Sequence, residues 1–170
     1  SSSEALGSGF RCGFLGLLHM EIVQERLERE MQVSLVQTAP TVTYEVETRD
    51  HRVTRITNPA ELPDPSNILE IREPMVAAEI ICTTDSIGDL MKLCETRRGV
   101  YREQRYIDEK RQILEYDLPL AEIIFDFFDK LKSITSGYGT MDYQVKGFQK
   151  DDLVKMDVLV NGSKVDALSV

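Results

Sequence analysis

Few residues in this chain have the type and spacing that chemistry requires. The two histidines, His19 and His51, stand far apart in the sequence. His19-Met20-Glu21 supplies the H-x-E half of a zinc deaminase signature, but no P-C-x-x-C half follows and no H-E-x-x-H occurs. A helix histidine packed beside the preceding strand is the expectation for His19. Cys12, Cys82 and Cys94 form an odd set without a C-x-x-C pair, which suits neither a disulfide framework nor a zinc knuckle. All three are expected as core thiols. Gly7-Ser8-Gly9 and Gly13-Phe14-Leu15-Gly16 precede a helical pattern. They lack both the Lys-Ser/Thr of a phosphate-binding loop and the G-x-G-x-x-G spacing, so close backbone packing at a helix entry is their expected role. There is no G-x-S-x-G elbow, and the many carboxylates fall on solvated faces. No catalytic set, metal site or cofactor site is expected within this chain.

The cations are more informative. Lys92, Arg97, Arg98 and Arg102 gather around the end of one expected helix, and Lys130 and Lys132 near the end of another. In a last helical turn such charges complement the helix dipole, and the same side chains are the usual contacts to phosphates. Either role fits the residues. A phosphate-binding role would have to be local: of 170 residues, 29 are Asp or Glu against 20 Lys or Arg, a net charge of −9 that phosphate backbones and anionic membranes repel on average.

The elements that position these residues follow from periodicity. Gly9 to Gly16 reads as a short strand leading into a helix, with Met20, Val23, Leu27 and Met31 on one face and Glu21, Gln24, Glu25 and Glu28 opposite. Gln32 to Val36 alternates as a strand would. Thr41 to Glu47 and Arg52 to Ile56 suit a hairpin turning at Arg49-Asp50-His51. From Asn58 to Pro74, four of the chain's six prolines predict an irregular linker and a domain boundary.

Beyond it the pattern is cleaner. Met75 to Thr83 alternates as a strand, and Thr84 or Asp85 can cap a helix with Ile87, Leu90, Met91 and Cys94 on its apolar stripe and Gly99 as its stop. Strands are expected over Val100–Ile107 and Gln112–Leu118. A helix entered at Pro119 would bury Leu120, Ile124, Phe127 or Phe128, and Leu131, and a strand is expected over Thr140–Phe148. This β-α-β-β-α-β order is the ferredoxin-like, split β-α-β pattern, an α+β sandwich with an antiparallel sheet and helices on one face. The first 57 residues carry half of such a unit. Asn161-Gly162 marks a final hairpin.

At this point the chain resembles a known family. The run Gly9-Phe10-Arg11-Cys12-Gly13-Phe14-Leu15-Gly16-Leu17-Leu18-His19-Met20-Glu21-Ile22-Val23 is similar to the signature of LepA-type translation factors. Asn58-Pro59-Ala60-Glu61-Leu62-Pro63-Asp64-Pro65, Arg72-Glu73-Pro74, Arg97-Arg98-Gly99, Pro119-Leu120-Ala121-Glu122-Ile123 and Val165-Asp166-Ala167-Leu168 continue the likeness over nearly the whole chain. The resemblance implies a ribosomal GTPase related to elongation factor G, with a proposed role in back-translocation or the rescue of stalled ribosomes. It implies that residues 1–57 are the second half of domain III, 58–74 a linker, 75–150 domain V, and 151–170 the start of the LepA-specific C-terminal domain. GTP and Mg would belong to the parent protein, whose GTP-hydrolysing domain this chain lacks. The implied partner is the ribosome, at large-subunit RNA and the stalk base, with Arg97 and Arg98 as contacts and Lys92, Lys130 and Lys132 as extensions of them. The implied location is cytoplasmic, with a peripheral position at the inner face of the cell membrane as a further option. The readings set against this are a fragment of a sibling elongation-factor-G-type GTPase and a stand-alone ferredoxin-like binding module.

Overall fold

The computed structural model describes residues 2–3, 7–10, 12, 14, 17–35, 42–58, 61–154 and 159–164. The chain divides into two compact units, one of residues 1–39 with 155–170 and the other of residues 40–154.

In the first unit, β1 (Ser2–Ser3) and β2 (Gly7–Ser8) pair antiparallel, and α1 (Leu17–Met31) follows. Met20, Val23 and Leu27 of α1 are half-buried while Glu21, Glu25 and Glu28 meet solvent, as their spacing predicts, but Met31, expected on the same buried face, is exposed. The polar side is held by i,i+4 pairs: Gln24 Nε2 donates to Glu28 at 3.0 Å and Arg26 Nε to Glu30 at 3.2 Å. Two strand expectations differ. Gln32 adopts a φ of 53° that turns the chain out of the helix, and Val33–Leu35 belong to no strand. The Gly9–Gly16 run lies partly outside the described residues, and Gly9, Phe10, Cys12 and Phe14 belong to no regular element. Cys12 is consequently exposed rather than a core thiol, because no ladder carries it into a core. His19 does meet an aromatic from that run, edge-on to Phe14 at 5.8 Å.

The second unit begins with β3 (Tyr44–Thr48) and β4 (Val53–Ile56), an antiparallel hairpin. Its turn is where it was expected: the Thr48 amide donates to the Arg52 carbonyl at 3.0 Å, and His51 takes the left-handed φ of 58°. There follow β5 (Ile68–Thr83), α2 (Ile87–Thr96), β6 (Val100–Tyr106), β7 (Arg111–Pro119), α3 (Leu120–Ile123), α4 (Phe127–Ile134) and β8 (Thr140–Lys150). Along one edge of β5, β3 pairs with residues 68–72 and carries β4 outside it, and β7 pairs with residues 75–83 and carries β6 outside it; β8 pairs with residues 72–81 on the other edge. Strands β5 to β8 with their helices thus realise the ferredoxin-like β-α-β-β-α-β pattern, and every strand pair is antiparallel. The core explains the layering. Val76, Ala78, Ile80 and Cys82 of β5 are buried at every second position, as are Leu114, Tyr116 and Leu118 of β7. They pack with Leu90, Leu93 and Cys94 of α2 and Ile123, Phe127 and Leu131 of α3 and α4, so the helices cover one sheet face.

The stretch 58–74 is not irregular throughout, as its prolines suggested. Pro65 opens a short 3-10 turn that Asp64 caps by accepting from the Ser66 amide at 2.9 Å, but residues 68–74 are already the first part of β5. Pro74 is tolerated there because partner strands change over beside it. Arg72 is the last residue paired with β3 and Met75 the first paired with β7, so at Glu73 and Pro74 no ladder on that edge requires a donor.

Other local expectations shift by a residue or a turn. Neither Thr84 nor Asp85 caps α2 with its side chain; they lie in a 3-10 turn whose Thr84 carbonyl accepts from the Ile87 amide. The left-handed residue ending α2 is Arg98, at φ 55°, rather than Gly99. Gly99 is needed for a different reason. Its amide donates to the Cys94 carbonyl at 2.8 Å, and a Cβ there would lie 2.7 Å from that oxygen and 2.8 Å from Leu118 Cδ2. The helix entered at Pro119 breaks at residues 124–126, so Ile123, Phe127 and Leu131 turn inward and Phe128 outward. Beyond β8, in the first unit, β9 (Leu159–Val160) and β10 (Ser163–Lys164) form the expected hairpin, with Asn161 at φ 51° and Gly162 at φ 78° in its turn.

A β-bulge on β8 makes one further arrangement. Met75 pairs with Gly147 and Val76 with Val145, leaving Lys146 as the extra residue. Its Nζ reaches the Asp117 carboxylate at 2.6 Å, and Arg102 Nε reaches the same oxygen at 2.6 Å. Asp117 is buried on the sheet face opposite the helices. Burial works against its ionisation, but the hydrogen bonds from Lys146 and Arg102 outweigh it and hold the carboxyl below the usual range.

Two outcomes follow from this packing. Gly99→Ala is expected to cost about 1–3 kcal/mol by overpacking, read as a lower urea midpoint at unchanged slope. Because the folded-state pKa of Asp117 is depressed, its contribution is present above the unfolded pKa and is lost as pH falls through the folded one. Asp117→Asn is therefore expected to cost about 1 kcal/mol at pH 7 and to flatten the acid limb of stability against pH, measured by urea titration between pH 7 and pH 2.5.

Candidate functional site

Of the five expected contact residues, Arg97 and Arg98 follow the last residue of α2 and Lys132 lies in the last turn of α4, while Lys92 and Lys130 lie mid-helix; α2 and α4 touch each other. The five do not share one environment. Lys92 is largely exposed and lies 3.6 Å from Asp89, one helical turn back. Lys132 donates to the Gly137 carbonyl at 3.4 Å and has no carboxylate partner among the described residues. Lys130 pairs with Asp126 at 2.7 Å, and that hydrogen bond, opposed by burial and aided by the charges of Arg97 and Lys130, holds Asp126 below the usual carboxylate range. Arg102 lies on β6, not at the helix end, and belongs to the Asp117 cluster.

Arg97 and Arg98 are drawn into the protein's own acids. Arg97 Nη2 donates to Asp126 at 2.6 Å, and its Nη1 lies 3.5 Å from Glu122. Arg98 is the hub of the cluster. It grips Glu73 through both carboxylate oxygens, Nη1 at 2.6 Å and Nη2 at 3.0 Å. Its Nε donates to Glu122 at 3.0 Å, and Nη1 also donates to Asp151 at 2.6 Å. One guanidinium thereby joins β5, the end of α2, α3 and the residue just past β8. Charge-assisted forked bonds of this kind are among the stronger ones proteins make.

The protonation states follow from burial and charge. Glu73 is 2 % exposed, and burial pushes its carboxyl up; Arg98 pulls it back and the neighbouring Asp151 carboxyl adds to the rise. Asp151 is held low, first by its hydrogen bond to Glu73 and also by Arg98. Arg98 is raised, chiefly by Glu73, and stays charged. The Tyr44 phenol of β3 feels the same group: burial and the Glu73 charge raise it, and Arg98 opposes them. On the core side, burial raises the Cys94 thiol to about 12, which leaves it inert as a nucleophile.

Sequence reasoning found the cations and missed their acids. Glu73 and Glu122 lie in motifs quoted for the family likeness, but no local pattern links them, Asp126 or Asp151 to the arginines, and the Arg98 partners lie 24 to 53 residues away. It also left open which of Phe127 and Phe128 is inward. Phe128, on the turn before Lys132, is exposed, as are Phe125 and Tyr138. Two shallow surface depressions lie among the described residues, between Thr83 and the Asp108–Arg111 turn and at the Lys146 bulge. Among the described residues no cluster of His, Cys, Asp and Glu could hold a metal ion, and no helix is long and apolar enough to cross a membrane.

Comparison with known proteins gives these features a context. Residues 70–159 match the family model described as elongation factor G C-terminus, a span that includes nearly all of β5 and everything through β8. Proteins named elongation factor 4 align over 99% of the chain, at 56% identity in Lachnospira eligens and in Clostridioides difficile and 53% in Mesoplasma florum. The chain spans 28% of the length of each of these relatives. The LepA-type motifs quoted from the sequence and the ferredoxin-like sheet agree with the matched family, and the chain belongs to the family of the elongation factor G C-terminus.

Proposed function

We propose that this chain is the ribosome-docking portion of a LepA-type translational GTPase acting in elongation, in back-translocation or in the rescue of stalled ribosomes. The observation that carries the proposal is the similarity to proteins named elongation factor 4 along 99% of the chain. In this reading residues 1–57 correspond to the second half of domain III, 58–74 to a connecting segment, 75–150 to domain V and 151–170 to the start of the C-terminal domain. GTP and Mg are handled by the GTP-hydrolysing domain of the full-length protein, and the chain itself binds rather than catalyses. Its place of work is the cytoplasm, with peripheral contact at the inner membrane face as a secondary location.

The docking surface in this proposal is the exposed side of the α2–α4 pair, facing large-subunit RNA at the stalk base. Lys92, Lys130 and Lys132 supply phosphate contacts, with Arg97 and Arg98 behind them. A chain of net charge −9 must confine such contacts to a small area, and the exposed ammonium groups of Lys92 and Lys132 suit that need. Phe128, four residues before Lys132 and so on the same helical face, adds an aromatic surface on which a base can stack.

The test is ribosome binding by the full-length protein over a salt series, with and without Lys92→Ala and Lys132→Ala together. Each phosphate contact contributes roughly 0.7–0.9 to the log–log salt slope. The double variant is expected to bind more weakly and with a slope shallower by about one to two. Unchanged affinity and slope would take these lysines off the docking face.

A further inference from the structure

We propose that Arg98 is a positioning residue that latches the chain at Asp151 to the β5–β8 unit, fixing the direction in which the polypeptide leaves the last strand. This inference stands apart from the ribosome reading, since it concerns contacts made within residues 40–154.

The guanidinium has an inner anchor and an outer catch. The anchor is Glu73, buried and held through both oxygens, which fixes the plane of the guanidinium from within. Glu122 on α3 takes Nε and fixes its remaining edge. The catch is Asp151, the first residue beyond β8, which meets a donor already set in place. Asp151 and Arg98 are each about two-fifths exposed, at 42% and 40%, so water can reach this contact while Glu73 stays enclosed. An ion pair at such a rim is weaker and easier to open than the buried one beside it.

The backbone around Asp151 is arranged to be held by that contact. Its amide donates to the Ile71 carbonyl at 3.3 Å, a long bond one step past the last ladder pair, Arg72 with Lys150. Its Oδ1 accepts from the Asp152 amide at 2.8 Å, and its carbonyl accepts from the Leu153 amide at 3.0 Å, so the side chain and a tight turn are built on one residue. The Arg98 end is equally specified. A left-handed φ of 55° is uncommon for an arginine, and the residue after it has no room for a Cβ, so the α2 terminus delivers this side chain in one direction. Lysine could not replace it: an ammonium presents donors from a single point and cannot fork onto Glu73 while also serving Glu122 and Asp151.

The experiment is hydrogen exchange by mass spectrometry on the full-length protein, together with its thermal midpoint. Asp151→Ser keeps a short acceptor for the Asp152 amide but does not reach Arg98. It is expected to speed exchange across Asp151–Val154 by about threefold or more, a loss of about 0.7 kcal/mol, with exchange across 75–119 and the midpoint unchanged. Arg98→Lys is expected to loosen Asp151–Val154 as well, although the charge is kept. If Arg98→Lys fails to fold, Asp151→Ser alone decides. Unchanged exchange at Asp151–Val154 in Asp151→Ser overturns the proposal. So does an equal rise across 75–119, which would make Asp151 a general stability contact.

Discussion

The unit of residues 40–154 depends on how one buried carboxylate is satisfied. Glu73 sits in β5 at the place where partner strands change over, where the ladder on one edge has stopped and not yet resumed. An enclosed carboxylate without a partner costs several kcal/mol, so the chain must deliver a cation there. The end of α2 does so with Arg98. Replacing such a pair by well-packed apolar groups is often neutral for stability, which makes its value one of arrangement. It fixes where α2 ends, where α3 begins and where the chain goes after β8.

The same logic operates on the opposite face of the sheet with different parts. Asp117 on β7 is covered by Arg102 from β6 and Lys146 from the β8 bulge. The bulge costs one unpaired residue and in return turns a side chain from an edge strand onto a buried acid. The two enclosed acids are shifted in opposite directions: burial holds the Glu73 carboxyl up, while hydrogen bonds from Lys146 and Arg102 hold the Asp117 carboxyl down against burial. A chain this acidic has many carboxylates to choose from. Glu73 and Asp117 are the two that the sheet encloses.

What the sequence made legible was whatever depends on near neighbours. Alternation in Val76, Ala78, Ile80 and Cys82, the turn at Arg49-Asp50-His51 and the Asn161-Gly162 hairpin are all decided within a few residues, and each lies where it was expected, while the left-handed stop of α2 falls one residue early, at Arg98. Pro74 misled because the rule that prolines end ladders holds only where a partner strand is present to be denied a donor. Gln32–Leu35 misled because alternation without a partner strand makes no ladder. The contact residues were legible as charges but not as a site. Whether Arg98 faces solvent or Glu73 is set by a partner 25 residues away, and no window of local pattern contains both.

Strand β5 runs through 16 residues without a break. At the rise of an extended strand it is about 50 Å long. Its first five residues carry the β3–β4 hairpin, and its last nine form the centre of the ferredoxin-like sheet. Between them, at Glu73 and Pro74, only the β8 ladder continues, so the hairpin is tied to the ferredoxin-like sheet by one continuous strand backed on a single edge. The β8 bulge opposite Met75 and Val76 and the Glu73–Arg98 pair lie at this same crossing, so the junction is held by backbone and side chains together.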